Sequence, residues 1–277
     1  MSALVDPRTL QSELAEPGPS GPVVLDVQFT LTGDGADLYA GGHLPDAPFV
    51  DLDAVLAGEP GAGGRHPLPD PAVLQAGLRA AGVDDDSHVV VYDQASSLAA
   101  ARAWWVLRWA GLTDVRVLDG GLAAWRDAGG AVSTGAVSPT PGSVTVRPGS
   151  VPVLTADGAA DLTEAGVLVD ARAPERYRGE VEPIDPVAGH VPGAVNVPMG
   201  DLTTDEGRLR SPQELRARFA AEGIDGSTVV GSYCGSGVTA AHTALALHEI
   251  GIEAAVYVGS WSHWVTDPVR PVATGRR

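Results

Sequence analysis

Short, nearly continuous apolar runs alternate along the chain with longer stretches in which apolar residues recur at helical spacing. The runs are 23–27 (VVLDV), 88–93 (HVVVYD) and 115–121 (VRVLDGG) in the first half, and 167–171 (VLVDA), 228–234 (TVVGSYC) and 254–260 (AAVYVGS) in the second. Apolar on both faces, they read as strands of a covered, parallel sheet. Helices are predicted over 71–82, about 98–110, 212–223 and about 239–250. Pro71 and Pro212 open two of them, and Gly82, Gly111, Gly223 and Gly251 stand at the four ends, the usual boundary residues. Ser211 with Glu214 fits a capping box. Trp104, Trp105 and Trp109 are predicted to fill core space.

The two halves repeat one plan. Each first strand leads to Gly-His-x-Pro, at 42–45 and 189–192, then to a short apolar-acidic piece, the helix, the second strand and the long helix. A third strand follows, then a tryptophan in matching places, Trp125 and Trp264. Alternating strands and helices, met twice, predict an α/β protein of two similar domains. The Ser/Pro/Gly/Thr-rich stretch 133–152 reads as a linker, dividing the chain into 1–134, a linker 135–150, and 151–277.

Composition narrows the chemistry. With 277 residues and a formal charge of −17, the chain is long enough for two domains and repels phosphate backbones, so nucleic-acid binding is not expected. All 18 basic residues are arginine. No apolar stretch approaches the ~20 residues of a membrane helix, and the N-terminus does not read as a signal peptide; a soluble, cytoplasmic protein is expected. There is one cysteine, Cys234. It cannot form an intramolecular disulfide or a cysteine-rich metal site, and no metal or cofactor is expected.

The halves differ at the turn after the second strand. In the second half it reads Cys234-Gly235-Ser236-Gly237-Val238-Thr239, with a helix starting at once; in the first it reads DQASSLAAA from Asp93. Two glycines let the backbone curl its N–H groups inward, and the helix start adds partial positive charge. A thiol there is predicted to act as a thiolate, and the N–H cradle to hold a persulfide or a departing oxyanion. The first-half turn has no sulfur and no glycine, and reads as non-catalytic.

With its duplicated halves and the GHVPGA segment (189–194), this loop resembles the tandem rhodanese-domain sulfurtransferases, and CGSGVT in particular is similar to the 3-mercaptopyruvate branch. The resemblance implies two tandem rhodanese-like domains, each a mainly parallel sheet with helices on both faces. It implies transfer of a sulfane sulfur from 3-mercaptopyruvate, through a Cys234 persulfide, to cyanide or a thiol such as thioredoxin or glutathione. Thiosulfate is the alternative donor; thiosulfate enzymes of this fold carry basic residues after the cysteine, where Gly235 and Ser236 stand here. The resemblance assigns Ser236, His66 and Asp53 to proton handling, Arg176 to the donor carboxylate, and Gly235, Gly237, Val238 and Thr239 to the substrate cradle. Asp53 equally fits a helix cap, and His66 a loop without a role. The branch's second arginine is missing: EVEPIDPVAGH offers only Ile184, with Arg65, Arg208 or Arg210 as substitutes.

A cysteine phosphatase would need a larger loop and an arginine at its end, but Ala240, Ala241 and His242 follow Thr239. A non-enzymatic interaction module has no need of glycines around a thiol. His43 and His190 recur in both halves and point to the fold, as do Asp26 and Asp170; Arg172 and Arg178 are predicted in ion pairs. His263 and Trp261, without counterparts, are candidates to flank the pocket.

Overall fold

The computed structural model describes residues 2–16 and 21–276. Two compact units result, and each holds a parallel four-stranded sheet. The first comprises residues 1–58, 68–150 and 205–209; the second comprises 59–67, 151–204 and 210–277. The segment 59–67, which precedes the helix Pro71–Ala80 in sequence, thus packs with the second unit. No helix among the described residues is long and apolar enough to cross a membrane.

In the first unit, β1 (Leu4–Val5), β2 (Val23–Asp26), β3 (Val89–Tyr92) and β4 (Val115–Leu118) lie in the order β1-β4-β3-β2. In the second, β5 (Val167–Asp170), β6 (Val195–Asn196), β7 (Val230–Tyr233) and β8 (Ala254–Val256) lie in the order β6-β5-β7-β8. Isolated parallel bridges complete the match. Asp26 pairs with Phe49 at the place β6 takes beside β5, and Val153 pairs with Val256 where β1 pairs with β4. Every residue of β3 and of β7 is buried, as the apolar runs require of strands covered on both faces.

Local chemistry sets the helix boundaries. Asp70 caps Pro71–Ala80 through the N–H groups of Ala72 and Val73. Ser211 and Glu214 form the reciprocal capping box of Pro212–Ala220. The long helices Leu98–Trp109 and Val238–Glu249 are buried on nearly all sides, and so are apolar all round. The Ser/Pro/Gly-rich stretch is held along the first unit. Gly142 and Val144 donate to the carbonyls of Arg79 and Val83, and Arg147 to that of Ala110, while Asp84 accepts from the N–H of Ser143. A segment without regular structure still satisfies its buried backbone this way.

Candidate active site

Cys234 follows β7 directly and stands three residues (235–237) before the helix that starts at Val238. It therefore lies at the carboxyl end of an interior strand, where open α/β sheets bind ligands. Gly237 caps that helix at φ +86°, a conformation that costs glycine nothing and a residue with Cβ about 1 kcal/mol or more. The Gly237 N–H donates to Cys234 Sγ at 3.1 Å. The loop's carbonyls point the other way: those of Cys234 and Gly235 accept from the N–H groups of Trp261 and Ser262, each at 2.9 Å. The Cys234 N–H donates to Ser260 Oγ at 3.1 Å, and that hydroxyl donates to Tyr257 O. Ser260 itself sits at φ +54°, strain of the kind that collects at functional sites. Cys234 is only 2% exposed. A thiol that merely fills a core lies among apolar atoms; this one accepts a backbone N–H at the mouth of a helix.

The corresponding turn of the first unit shows what such a loop holds. Four residues (94–97) separate Asp93 from its helix. The Asp93 carboxylate takes four backbone N–H groups, Ala95 and Ser97 on Oδ1 and Ala99 and Ala100 on Oδ2, at 2.9–3.3 Å. Burial raises its pKa against those four donors. The first-unit turn is thus an anion cradle filled by its own side chain.

The segment 59–67 brings two side chains to the sulfur loop. Gly61 and Gly64 exchange backbone hydrogen bonds at 3.0 and 2.9 Å, closing a tight turn, and the Arg65 N–H donates to Ser262 Oγ at 3.1 Å. His66 Nδ1 then lies 2.8 Å from Ser236 Oγ, a contact across 170 positions of sequence. The Arg65 and Arg176 guanidiniums both flank Gly235: a Cβ added there would lie 3.0 Å from Arg65 Nη2 and 3.6 Å from Arg176 Nη1. Arg176 also binds Glu182 through Nε and Nη2, at 3.1 and 2.7 Å. Burial works against the Glu182 carboxylate, but Arg176 and the N–H groups of Asp185 and Ile184 hold its pKa below the usual range. Val238 and Thr239 form the first turn of the helix, whose N–H groups have no intrahelical acceptor.

Asp53 lies in the first unit, in the helix Leu52–Val55. It is not the cap: Asp51 is, accepting from the Ala54 N–H at 2.9 Å. Burial, then the charge of Asp51, raises the Asp53 pKa. Of the three arginines considered as substitutes for the one missing at Ile184, Arg65 reaches the loop. Arg210 faces Glu214 on the surface, and Arg208 belongs to the first unit. Sequence reasoning missed Ser260, Ser262, Glu182 and Asp185. The glycine-rich run just before Arg65 and His66 was the only local sign of a close-packed loop.

A profile of the Rhodanese-like domain matches residues 6–128 and again 155–267. The chain belongs to the rhodanese family. Its relatives include the "Putative thiosulfate sulfurtransferase SseB" of Mycobacterium tuberculosis, 50% identical over 91% of this chain and 90% of that one. The "Probable 3-mercaptopyruvate sulfurtransferase" of Pseudomonas aeruginosa is 46% identical over 98% of both. Among solved structures, the crystal structure of SseA from Escherichia coli, a 3-mercaptopyruvate sulfotransferase, superposes with a TM-score of 0.82 at 31% identity, covering 95% of this chain and all of that one. This member of the family is a sulfurtransferase enzyme, and it takes its sulfur from a donor molecule.

Several sequence candidates are parts of the rhodanese scaffold. His43 and His190 stack on Tyr39 and Tyr177 and bond to backbone carbonyls. Asp26 binds Tyr92 and Gln28, and Asp170 binds Arg172. Arg178 pairs with Glu180. Trp125 and Trp264 are buried and donate to the carbonyls of Ala131 and Pro271. Trp261 is fully buried, with its indole N–H on Val187 O. His263 Nδ1 lies 2.9 Å from Tyr257 OH, and its side chain is half-buried.

Proposed function

We propose that Cys234 accepts a sulfur atom from 3-mercaptopyruvate and passes it, as a persulfide, to cyanide or to a thiol such as thioredoxin or glutathione. The carrying observation is the Cys234 sulfur on a backbone N–H in a loop whose next polar side chain, Ser236, is paired with His66. The Cys234 thiolate attacks the donor sulfur. The new S–S bond forms as the donor C–S bond breaks, and the electron pair leaves on carbon as the enolate of pyruvate. The enolate needs one proton, for which the Ser236–His66 pair is the relay. The acceptor then attacks the outer sulfur, the S–S bond breaks, and its electron pair returns to Cys234.

The first-unit turn supports the intermediate. Asp93 reaches its N–H groups with atoms two bonds beyond Cβ. Cys234 Sγ is one bond from Cβ, so the outer sulfur of a persulfide takes the corresponding outer position, toward the open N–H groups of Val238 and Thr239. Gly235, which takes no side chain without crowding Arg65, keeps the approach open for the donor. Donor choice rests on the loop. Gly235 and Ser236 carry no charge for a dianion, whereas Arg176 at its edge suits a single carboxylate. With a lone thiol as its working group, the enzyme fits the reducing cytoplasm.

Cyanide-dependent thiocyanate formation tests the reaction. Cys234→Ser is expected to abolish it, and activity equal to wild type in that variant overturns the persulfide route. Comparing kcat/KM for 3-mercaptopyruvate and thiosulfate tests the donor. A clear thiosulfate preference, as the name of the Mycobacterium tuberculosis relative suggests, replaces the donor and leaves the route standing.

A further inference from the structure

Both acids beside the loop are paired with its arginines, and their arrangement bears on which donors are accepted. Asp185 bridges the two guanidiniums: Oδ1 accepts from Arg65 Nη1, and Oδ2 from Arg176 Nη2 at 3.3 Å. Glu182 holds Arg176 from a third side. The acid side chains are each 3% exposed, against 30% for Arg65 and 16% for Arg176. The acids therefore lie behind the arginines. Among the described residues, Arg65 Nε and Nη2 and Arg176 Nη1 have no hydrogen-bond partner; Arg65 Nη2 flanks Gly235, as do Arg176 Nη1 and, equally near, the engaged Arg176 Nη2.

We propose that Arg65 and Arg176 together seat the donor's carboxylate and that Asp185 restricts this seat to one negative charge. The assignment rests on the sulfurtransferase reading above. The free N–H groups of two planar guanidiniums converge beside the residue next to the nucleophile, the geometry that carboxylates select. The charge count sets the limit. Arg65 and Arg176, with Arg172 also on Glu182, supply three positive charges, and Glu182, Asp185 and Asp170, the partner of Arg172, three negative ones, so the seat is neutral before a donor arrives. A monoanionic keto acid brings it to −1 and a dianionic thiosulfate to −2, in a chain already at −17. Removing the Asp185 charge leaves the seat at +1, and each unit of charge on the donor gains from it.

The test is the ratio of kcat/KM for thiosulfate to kcat/KM for 3-mercaptopyruvate, with cyanide as acceptor. Asp185→Asn is expected to raise this ratio about 10-fold or more over wild type, and Asp185→Glu, which keeps the charge, to leave it within about 3-fold. Arg65→Gln is expected to raise KM for 3-mercaptopyruvate on the order of 10-fold while the rate of Cys234 alkylation by iodoacetamide stays at the wild-type value. An unchanged or lowered ratio in Asp185→Asn, with its thermal midpoint at the wild-type value, overturns the charge limit. An Arg65→Gln variant with wild-type KM overturns the two-arginine seat. Each result is read relative to wild type, so it stands whichever donor wild type prefers. Failure of the sulfurtransferase reading appears separately, as thiocyanate formation that survives Cys234→Ser.

Discussion

Gly64→Ala tests whether the turn of residues 61–64 positions His66, the histidine proposed to relay the proton. Gly64 has φ +103°, and a Cβ added there would lie 2.6 Å from the carbonyl oxygen of Gly259 and 3.0 Å from Ser262 Oγ. The positive φ costs a residue with Cβ about 1–3 kcal/mol. The contact with Gly259 is with backbone and cannot be relieved by a rotamer change. Ordinary contact begins at 3.4 Å, so the turn must back away by nearly 1 Å. The Arg65 N–H to Ser262 Oγ bond and the 2.8 Å contact between His66 and Ser236 lie within the next two residues and move with it. Misplacing a reacting group by about 1 Å costs roughly 100-fold. The expected result is a fall of about 10- to 100-fold in kcat/KM for thiocyanate formation, with a thermal midpoint lowered by only a few degrees. Alkylation of Cys234 by iodoacetamide is the control and should stay within about twofold of wild type, since the loop's own N–H bond is untouched. Wild-type kcat/KM, or a loss of alkylation as large as the loss of turnover, refutes the positional argument.

Two further outcomes follow from buried groups. Both ring nitrogens of His242 lack a hydrogen-bond partner among the described residues, and burial lowers its pKa from 6.5 to about 4. Between those values the unfolded chain binds the proton and the folded one does not, so stability falls as pH drops from 6.5 toward 4, by about 3 kcal/mol in all. In guanidinium titrations His242→Leu should narrow the loss between pH 7 and 4.5 by most of that amount; a loss equal to wild type removes His242 as its source. Asp93→Asn turns one acceptor oxygen into a donor facing two N–H groups. It should destabilise the fold by about 2–4 kcal/mol without changing kcat below the unfolding range; unchanged stability would show that the four bonds are not holding the turn.

Whatever depends on neighbours in sequence was legible without coordinates. The apolar runs place all six principal strands, because burial on both faces of a parallel sheet demands continuous apolar sequence. Proline, serine and glycine mark the helix ends because capping acts within three or four residues. The sulfur loop was readable for the same reason: Gly237 and the helix start act on Cys234 across three positions. Asp51 rather than Asp53 as the cap is a choice between neighbours that composition leaves open. What tertiary structure alone decided involves groups far apart in the chain. Arg65 meets Asp185 across 120 positions and His66 meets Ser236 across 170, because residues 59–67 fold with the second unit. No periodicity encodes such a meeting. It follows from Gly64 fitting against Gly259, where a single Cβ would not pass, and from the Arg65 N–H finding its acceptor on Ser262. Steric fit and hydrogen-bond satisfaction at a packed surface are properties of the assembled fold.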